Sequence, residues 1–209
     1  MSEGSSPLER LNEEVHTCQK CDLFRTASRG VPGEGPVGAS IMLVGEAPGA
    51  TEDRTGRPFV GAAGRFLDEL LGVAGLRRED VYITNVVKHR PPENRDPRPD
   101  EVEACIPYLW SQVEIIKPKV IVTLGRFALN VFFPEGKMMR DHGRLRQKNG
   151  VHFFPLLHPA AALHQERNRP LLYEDMKTLG EFLKTQNDPP GPVEQPGADG
   201  DPPEQLSLF

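Results

Sequence analysis

Short apolar runs alternate with segments of helical period from about residue 39 to residue 186, and that alternation predicts the fold. Residues 39–49, ASIMLVGEAPG, read as a buried strand that breaks into a Gly- and Pro-bearing loop. Residues 62–76, AAGRFLDELLGVAGL, put Phe66, Leu67, Leu70 and Leu71 on one face of an amphipathic helix. DVYITNVVK, 80–88, is a second strand, and residues 99–118 form a second helix stopped by Pro118. KVIVTLGRFALNVFF, 119–133, reads as a third strand and helix, GVHFFPLLHP, 150–159, as a fourth strand, and residues 169–186 as the closing helix. Strands alternating with helices predict an α/β fold, a three-layer α/β/α domain with a four-stranded, mostly parallel central sheet. In that architecture chemistry collects where loops leave the carboxyl ends of strands. Three loops qualify: GEAPGATED, NVVKHRPPENRDP and HPAAAL.

The pattern fails beyond the closing helix. Residues 187–204 are rich in Pro, Gly and acid and read as a disordered linker, which leaves 1–186 as the folded domain and QLSLF, 205–209, as an apolar terminus. The tail also changes the reading of charge. The chain carries a net −5, but Asp188, Glu194, Asp199, Asp201 and Glu204 account for five negative charges, so the body is near neutral and a local basic face is compatible with it. No apolar run reaches the length of a membrane span and the N-terminus lacks the apolar core of a secretory signal, so no membrane partner and a cytoplasmic location are expected. Three cysteines, two of them in HTCQKC (16–21), fit a metal role in a reducing compartment better than a disulfide framework. Cys18 and Cys21 have the spacing of half a metal site, and Cys105 is the only other thiol.

The loop GEAPGATEDRTGRPFVG is neither a Walker A loop nor GxGxxG, so a phosphate cradle is poorly supported. It does concentrate Glu46, Glu52, Asp53 and Phe59. His158 stands at a strand end, where an imidazole can donate to a developing anion, although a His before Pro is more often a turn residue. Asn85 offers an amide with both a donor and an acceptor face.

Together, GEAPGATEDRTGRPFVGAAG, YITNVVKHRPPENRDPRPDEVEAC and LLHPAAAL resemble the uracil-DNA glycosylase superfamily, most closely its family 4, the iron-sulfur uracil-DNA glycosylases, from about Leu11 to Thr185. The resemblance implies a monofunctional enzyme that flips uracil out of DNA and hydrolyses its N-glycosidic bond, leaving an abasic site for base excision repair. It implies Phe59 as the stacking platform, Asn85 as the base reader and Glu52 as the residue crowding the position of a thymine methyl. His158 corresponds to the donor to uracil O2. Glu46 is the carboxylate that orients or deprotonates the attacking water, while Ala47 occupies the place where the best-known uracil glycosylases carry aspartate. A covalently bonding branch carries GEQPG and an extra His-containing loop; Ala47 and the direct run HRPPENRDP argue against it.

The same resemblance implies a 4Fe-4S cluster on four cysteines, of which Cys18, Cys21 and Cys105 match and His89 stands in the remaining place. Imidazole ligates iron in mixed centres, but three Cys and one His is equally a zinc pattern; the resemblance, not the ligand set, favours iron. Lys88, Arg90, Arg95, Arg98, Arg140, Arg144, Arg146 and Lys148 are candidate phosphate contacts, with Arg144 and Arg146 central, and Leu163 is a candidate wedge for the gap left by a flipped base. QLSLF resembles the short motif by which bacterial repair proteins bind the β sliding clamp, with Gln205, Leu206, Leu208 and Phe209 as anchors on a monomeric enzyme. The competing reading is a non-catalytic, clamp-tethered DNA-binding accessory with a metal-stabilised fold. Retention of Glu46, Phe59, Asn85 and His158 argues against it, and a zinc deaminase fails for want of H-x-E with P-C-x-x-C.

Overall fold

The structure, a computed structural model, describes residues 5–187. Strands β1 (Ile41–Gly45), β2 (Tyr82–Asn85), β3 (Val120–Leu124), β4 (Arg146–Lys148) and β5 (Val151–Leu156) form one sheet in the order β2-β1-β3-β5-β4. The first three neighbour pairs in that order are parallel, with Gly45 opposite Asn85 at the ends of β1 and β2, and β4 runs antiparallel to β5. The four-stranded expectation is therefore corrected to five. The extra strand is half of a hairpin turned by Asn149 and Gly150, both at positive φ (50° and 77°), the Asn-Gly geometry that matches strand twist. Its sequence, RQK, carries no apolar alternation, because β4 is an edge strand whose side chains stay largely in water.

The helices are α1 (Pro7–His16), α2 (Ala50–Thr55), α3 (Ala62–Val73), α4 (Pro99–Ile116), α5 (Arg126–Phe132), α6 (Met138–Asp141), α7 (Pro159–His164) and α8 (Arg169–Asn187). Successive strand residues point to opposite faces and so feed two cores. Leu43, Ile83, Val122 and Phe154 meet Leu67, Leu70 and Leu71 of α3 and Leu172, Met176 and Leu179 of α8. Met42, Tyr82, Ile121 and Phe153 meet Leu109 and Ile116 of α4 and Ala128 and Phe132 of α5. Each buried aliphatic side chain contributes roughly 1.5–3 kcal/mol. The three-layer expectation holds. Helix α4 ends at Lys117 in the left-handed conformation (φ 53°), just before Pro118, as the breaker requires.

Short helices account for most of what periodicity misses. GEAPGATED and HPAAAL are strand-to-helix corners in which α2 and α7 begin at once, each only 6 residues and too short to show a period. Helix α1 opens on a capping box: the Ser6 hydroxyl accepts from the Glu9 amide at 3.2 Å and the Glu9 carboxylate accepts from the Ser6 amide at 2.6 Å. Its Leu11 and Val15 pack with Cys18 and Tyr108, which fixes the N-terminal segment on α4. Among the described residues no helix is long and apolar enough to cross a membrane. Residues 188–204 of the expected linker and the 205–209 motif lie outside the described residues.

Candidate active site

The carboxyl ends of β1, β2 and β5 open onto one cavity of about 480 Å³, and Glu46, Ala47, Glu52, Phe59, Asn85 and His158 all line it. Glu46 and Ala47 follow β1, Asn85 ends β2, and His158 follows β5. Two glycines make room. A Cβ on Gly45 would lie 2.4 Å from Asn85 Oδ1 and 2.5 Å from the Phe59 ring, so amide and ring both occupy the space over the end of β1. Gly125 sits at φ 88°, and a Cβ there would lie 3.1 Å from His158 Cβ.

Asn85 is 1% exposed, and its Oδ1 has no hydrogen-bond partner among the described residues. A buried amide oxygen left unpaired costs roughly 1–3 kcal/mol unless something fills its place. Phe59 is buried at φ 49°, a left-handed backbone that costs a residue other than glycine about 1–3 kcal/mol. Its ring stands 5.7 Å from the His158 ring, tilted by 33°. Glu52 is directed at the same loop: Oε1 accepts from the amides of Val60 at 2.9 Å and Gly61 at 2.7 Å. That arrangement gives Glu52 a task in shaping the wall besides its place on it.

His158 caps α7, and its Nδ1 accepts from the Ala160 amide at 3.2 Å. An accepting Nδ1 carries no proton, so the neutral ring carries it on Nε2 as a donor. Burial pushes the His158 pKa down to about 4, partly opposed by the Glu52 charge, and the ring is neutral at physiological pH. Glu46 shifts the other way. Burial and then Asp96 raise its pKa to about 7, while Arg126 opposes them. Asp96 and Arg126 form an ion pair with each other. Asp96 lines the cavity too, as does His164. Neither these nor Arg126 carry a motif, and only the position of Asp96 inside a strand-end loop marked it in the sequence.

Lys88 is corrected from a phosphate contact to a core residue. It is 0% exposed, and Nζ donates to Asn85 O at 2.6 Å, Gln112 Oε1 at 2.7 Å and Thr84 Oγ1 at 2.8 Å. Gln112 Nε2 donates to Pro32 O at 2.7 Å and to the Tyr82 hydroxyl at 3.2 Å, which closes the network. The apolar run NVVK hid the reversal, because a lysine at its end looks like a surface terminus.

The other basic candidates divide by their partners. Arg95 clasps the Glu101 carboxylate with two bonds of 2.9 and 2.7 Å, Arg98 pairs with Glu101 and Asp100, and Arg90 donates to Asn94 at 2.8 Å. Arg140 and Arg146 both pair with the buried Asp141, and Arg146 also lies over the Phe133 ring. Lys148 donates to Phe132 O at 3.3 Å. Arg144 is exposed, and Leu163 is 47% exposed on α7 beside the cavity residues Ala160, Ala161 and His164.

The cysteine side is less gathered. All three cysteines are free thiols. Cys21 packs on the core cluster that holds Cys105; the neighbouring thiol lowers the Cys21 pKa to about 7 and, with burial, raises that of Cys105. Cys18 clusters with Tyr108 instead, and its sulfur accepts from the Lys20 amide at 3.5 Å. His89 is 3% exposed, its pKa lowered by burial, and its Nδ1 is buried without a partner among the described residues. The donor chemistry, three thiols and a spare buried imidazole nitrogen, fits a thiolate-bound metal or cluster. No three His, Cys, Asp or Glu side chains among the described residues are gathered as a metal site.

A mostly parallel sheet whose strand ends bring a cavity, an unpaired amide oxygen, an aromatic ring and a neutral imidazole together defines a class. The chain belongs to the uracil-DNA glycosylase superfamily, whose profile, described as "Uracil DNA glycosylase superfamily", matches residues 32–180. Within it the chain is a member of the type-4 branch. It is 48% identical over 188 residues to the type-4 uracil-DNA glycosylase of Sulfurisphaera tokodaii, covering 85% of this chain and 86% of that one. It is 49% identical over 184 residues to the type-4 uracil-DNA glycosylase of Archaeoglobus fulgidus (84% and 92% covered) and 44% over 185 residues to that of Thermotoga maritima (86% and 96% covered).

Proposed function

We propose that the protein is a monofunctional uracil-DNA glycosylase that hydrolyses the N-glycosidic bond of a flipped-out uracil and leaves an abasic site, the opening step of base excision repair. The convergence of Glu46, Phe59, Asn85 and His158 on one cavity carries this reading. The Phe59 ring covers the face of the base, a contact worth roughly 1–3 kcal/mol. The unpaired Asn85 Oδ1 accepts from uracil N3–H, and the amide nitrogen donates to O4. Cytosine reverses both groups and leaves them unpaired, which rejects it.

As the glycosidic bond stretches, positive charge develops on the sugar and negative charge on the base. The Nε2 proton of His158, left as the ring's donor by the accepting Nδ1, donates to the base oxygen that collects this charge and stabilises the anion without a full ion pair. Glu46 in its carboxylate form orients the water that attacks the sugar and takes its proton. Ala47 contributes a methyl and no acid at the neighbouring position. Purified protein assayed on oligonucleotides with uracil opposite guanine, opposite adenine and unpaired is expected to yield abasic sites. No cleavage of any of the three would instead indicate the non-catalytic DNA-binding accessory.

An iron-sulfur cluster held by Cys18, Cys21, His89 and Cys105 is part of the proposal, supported by the orphaned His89 nitrogen and the Cys21–Cys105 contact. Its chemistry there is structural cross-linking. It pins the N-terminal segment to the 89–105 stretch, and iron rather than zinc by elemental analysis, with a brown chromophore, is the expected result. Arg144 and Arg146 are proposed as phosphate contacts, Arg146 while also paired with Asp141, and Leu163 as the wedge. The QLSLF terminus is proposed to bind the β sliding clamp as a tether to replicating DNA. Deleting residues 205–209 is expected to abolish clamp binding and spare activity on short oligonucleotides.

A further inference from the structure

Phe59 holds its ring over the cavity from a backbone conformation that phenylalanine seldom adopts, at φ 49°, so something outside the ring has to keep it there. One support comes from Arg78, in the short 3-10 turn Arg78–Asp80 that leads into β2. Its Nη1 donates to Phe59 O at 2.9 Å and its Nη2 to Pro58 O at 2.5 Å, so one planar fork grips two consecutive carbonyls. The guanidinium is itself held: Nη1 contacts Asp68 Oδ1 at 3.0 Å, and Nε lies 3.5 Å from Glu34 Oε1. Glu34 is fixed in turn by Arg57 at 2.7 and 2.8 Å. From the other side Glu52 gathers the next two amides. The loop carrying the ring is thus clamped by a cation on its carbonyls and an anion on its amides.

We propose that Arg78 is a positioning residue for uracil recognition, acting through Phe59: its fork locks the Pro58 and Phe59 carbonyls and so keeps the ring placed to receive the base. The inference rests on the reading of Phe59 as the stacking platform. Arg78 is not among the residues that line the cavity, and it acts on the site through the Pro58 and Phe59 carbonyls. Asn85 ends the strand that Arg78 introduces, so the reader and the clamp of the platform belong to one β2 unit.

A double-mutant cycle tests this, with single-turnover uracil release and inhibition by free uracil as readouts. Phe59→Ala is expected to slow release and weaken inhibition. Arg78→Met should do the same by about tenfold, since a small displacement of a positioning group is costly. In the Phe59→Ala background, Arg78→Met should change the rate by less than about twofold. Arg78→Lys, which keeps the charge and loses the fork, should fall between wild type and Arg78→Met; it replaces Arg78→Met in the cycle if that variant does not fold. Additive losses, or a wild-type rate in the Arg78 variant, would overturn the inference while leaving the platform intact. A wild-type rate for Phe59→Ala would overturn the platform and the inference with it.

Discussion

The cavity and the cysteine region lie on one chain and are built in opposite ways. Around the cavity three of the polar groups are placed by backbone: Asn85 by its register with Gly45, His158 by capping α7, Glu52 by the amides of Val60 and Gly61. Around Cys18, Cys21, His89 and Cys105 only one thiol pair meets, and a buried imidazole nitrogen stands alone. A binding site for an uncharged base can be assembled by the fold itself, because glycines and hydrogen bonds suffice. A site for thiolates cannot, because bare thiolates repel and thiols gain little from one another until a cation joins them. The first region is preorganised by the protein, and the second, on the proposed reading, is completed by the metal it would bind.

The sharpest break of this contrast is at His158. His158→Ala should lower the single-turnover rate by about 10²–10³-fold with little change in DNA affinity, the pattern of a donor used only in the transition state. Equal losses in rate and affinity would move it to simple binding. Glu46→Gln should cost about 10²-fold and, more tellingly, remove a pH dependence. A group that acts as an anion with a pKa of about 7 gives a rate that climbs as pH rises through neutrality and levels above it. His158, neutral above about pH 4, adds no limb in that range. A flat wild-type profile would count against Glu46 as the titrating group.

On the other side of the contrast, Cys105→Ser should act on stability more than on chemistry. We expect loss of bound metal and a Tm lower by about 5 °C or more, with the single-turnover rate of the remaining folded protein within about threefold of wild type. A rate loss larger than the stability loss would tie the two regions together. The smallest effect is expected at Glu52. Glu52→Ala should lower the ratio of uracil to thymine release, and a parallel fall of both would place Glu52 wholly in holding the Val60 and Gly61 amides.

The two regions also differed in how far the sequence disclosed them. Long apolar runs and the Phe66 to Leu71 stripe predicted the layers because burial imposes a period on sequence. The fifth strand was missed because an edge strand of Arg, Gln and Lys buries almost nothing, although Asn149-Gly150 carried the hairpin signal. Six of the residues that line the cavity stand in loop motifs at strand ends, and the structure brings them together; Asp96 and His164 line it without a motif. Arg78 and Lys88 share a reason for being hard to read from the sequence. Each has backbone carbonyls among its partners, those of Pro58 and Phe59 for Arg78 and that of Asn85 for Lys88 beside the Thr84 and Gln112 side chains, and carbonyls leave no mark in a sequence.

Position 45 sets a limit on how this pocket can be changed. Since even a methyl group there would lie 2.4 Å from the Asn85 amide oxygen and 2.5 Å from the Phe59 ring, any side chain at the end of β1 has to displace one or both of them. Positions 45, 59 and 85 therefore change as a set: room for a side chain at 45 comes with a new place for the amide and the ring, and a different base preference is expected where all three are varied together.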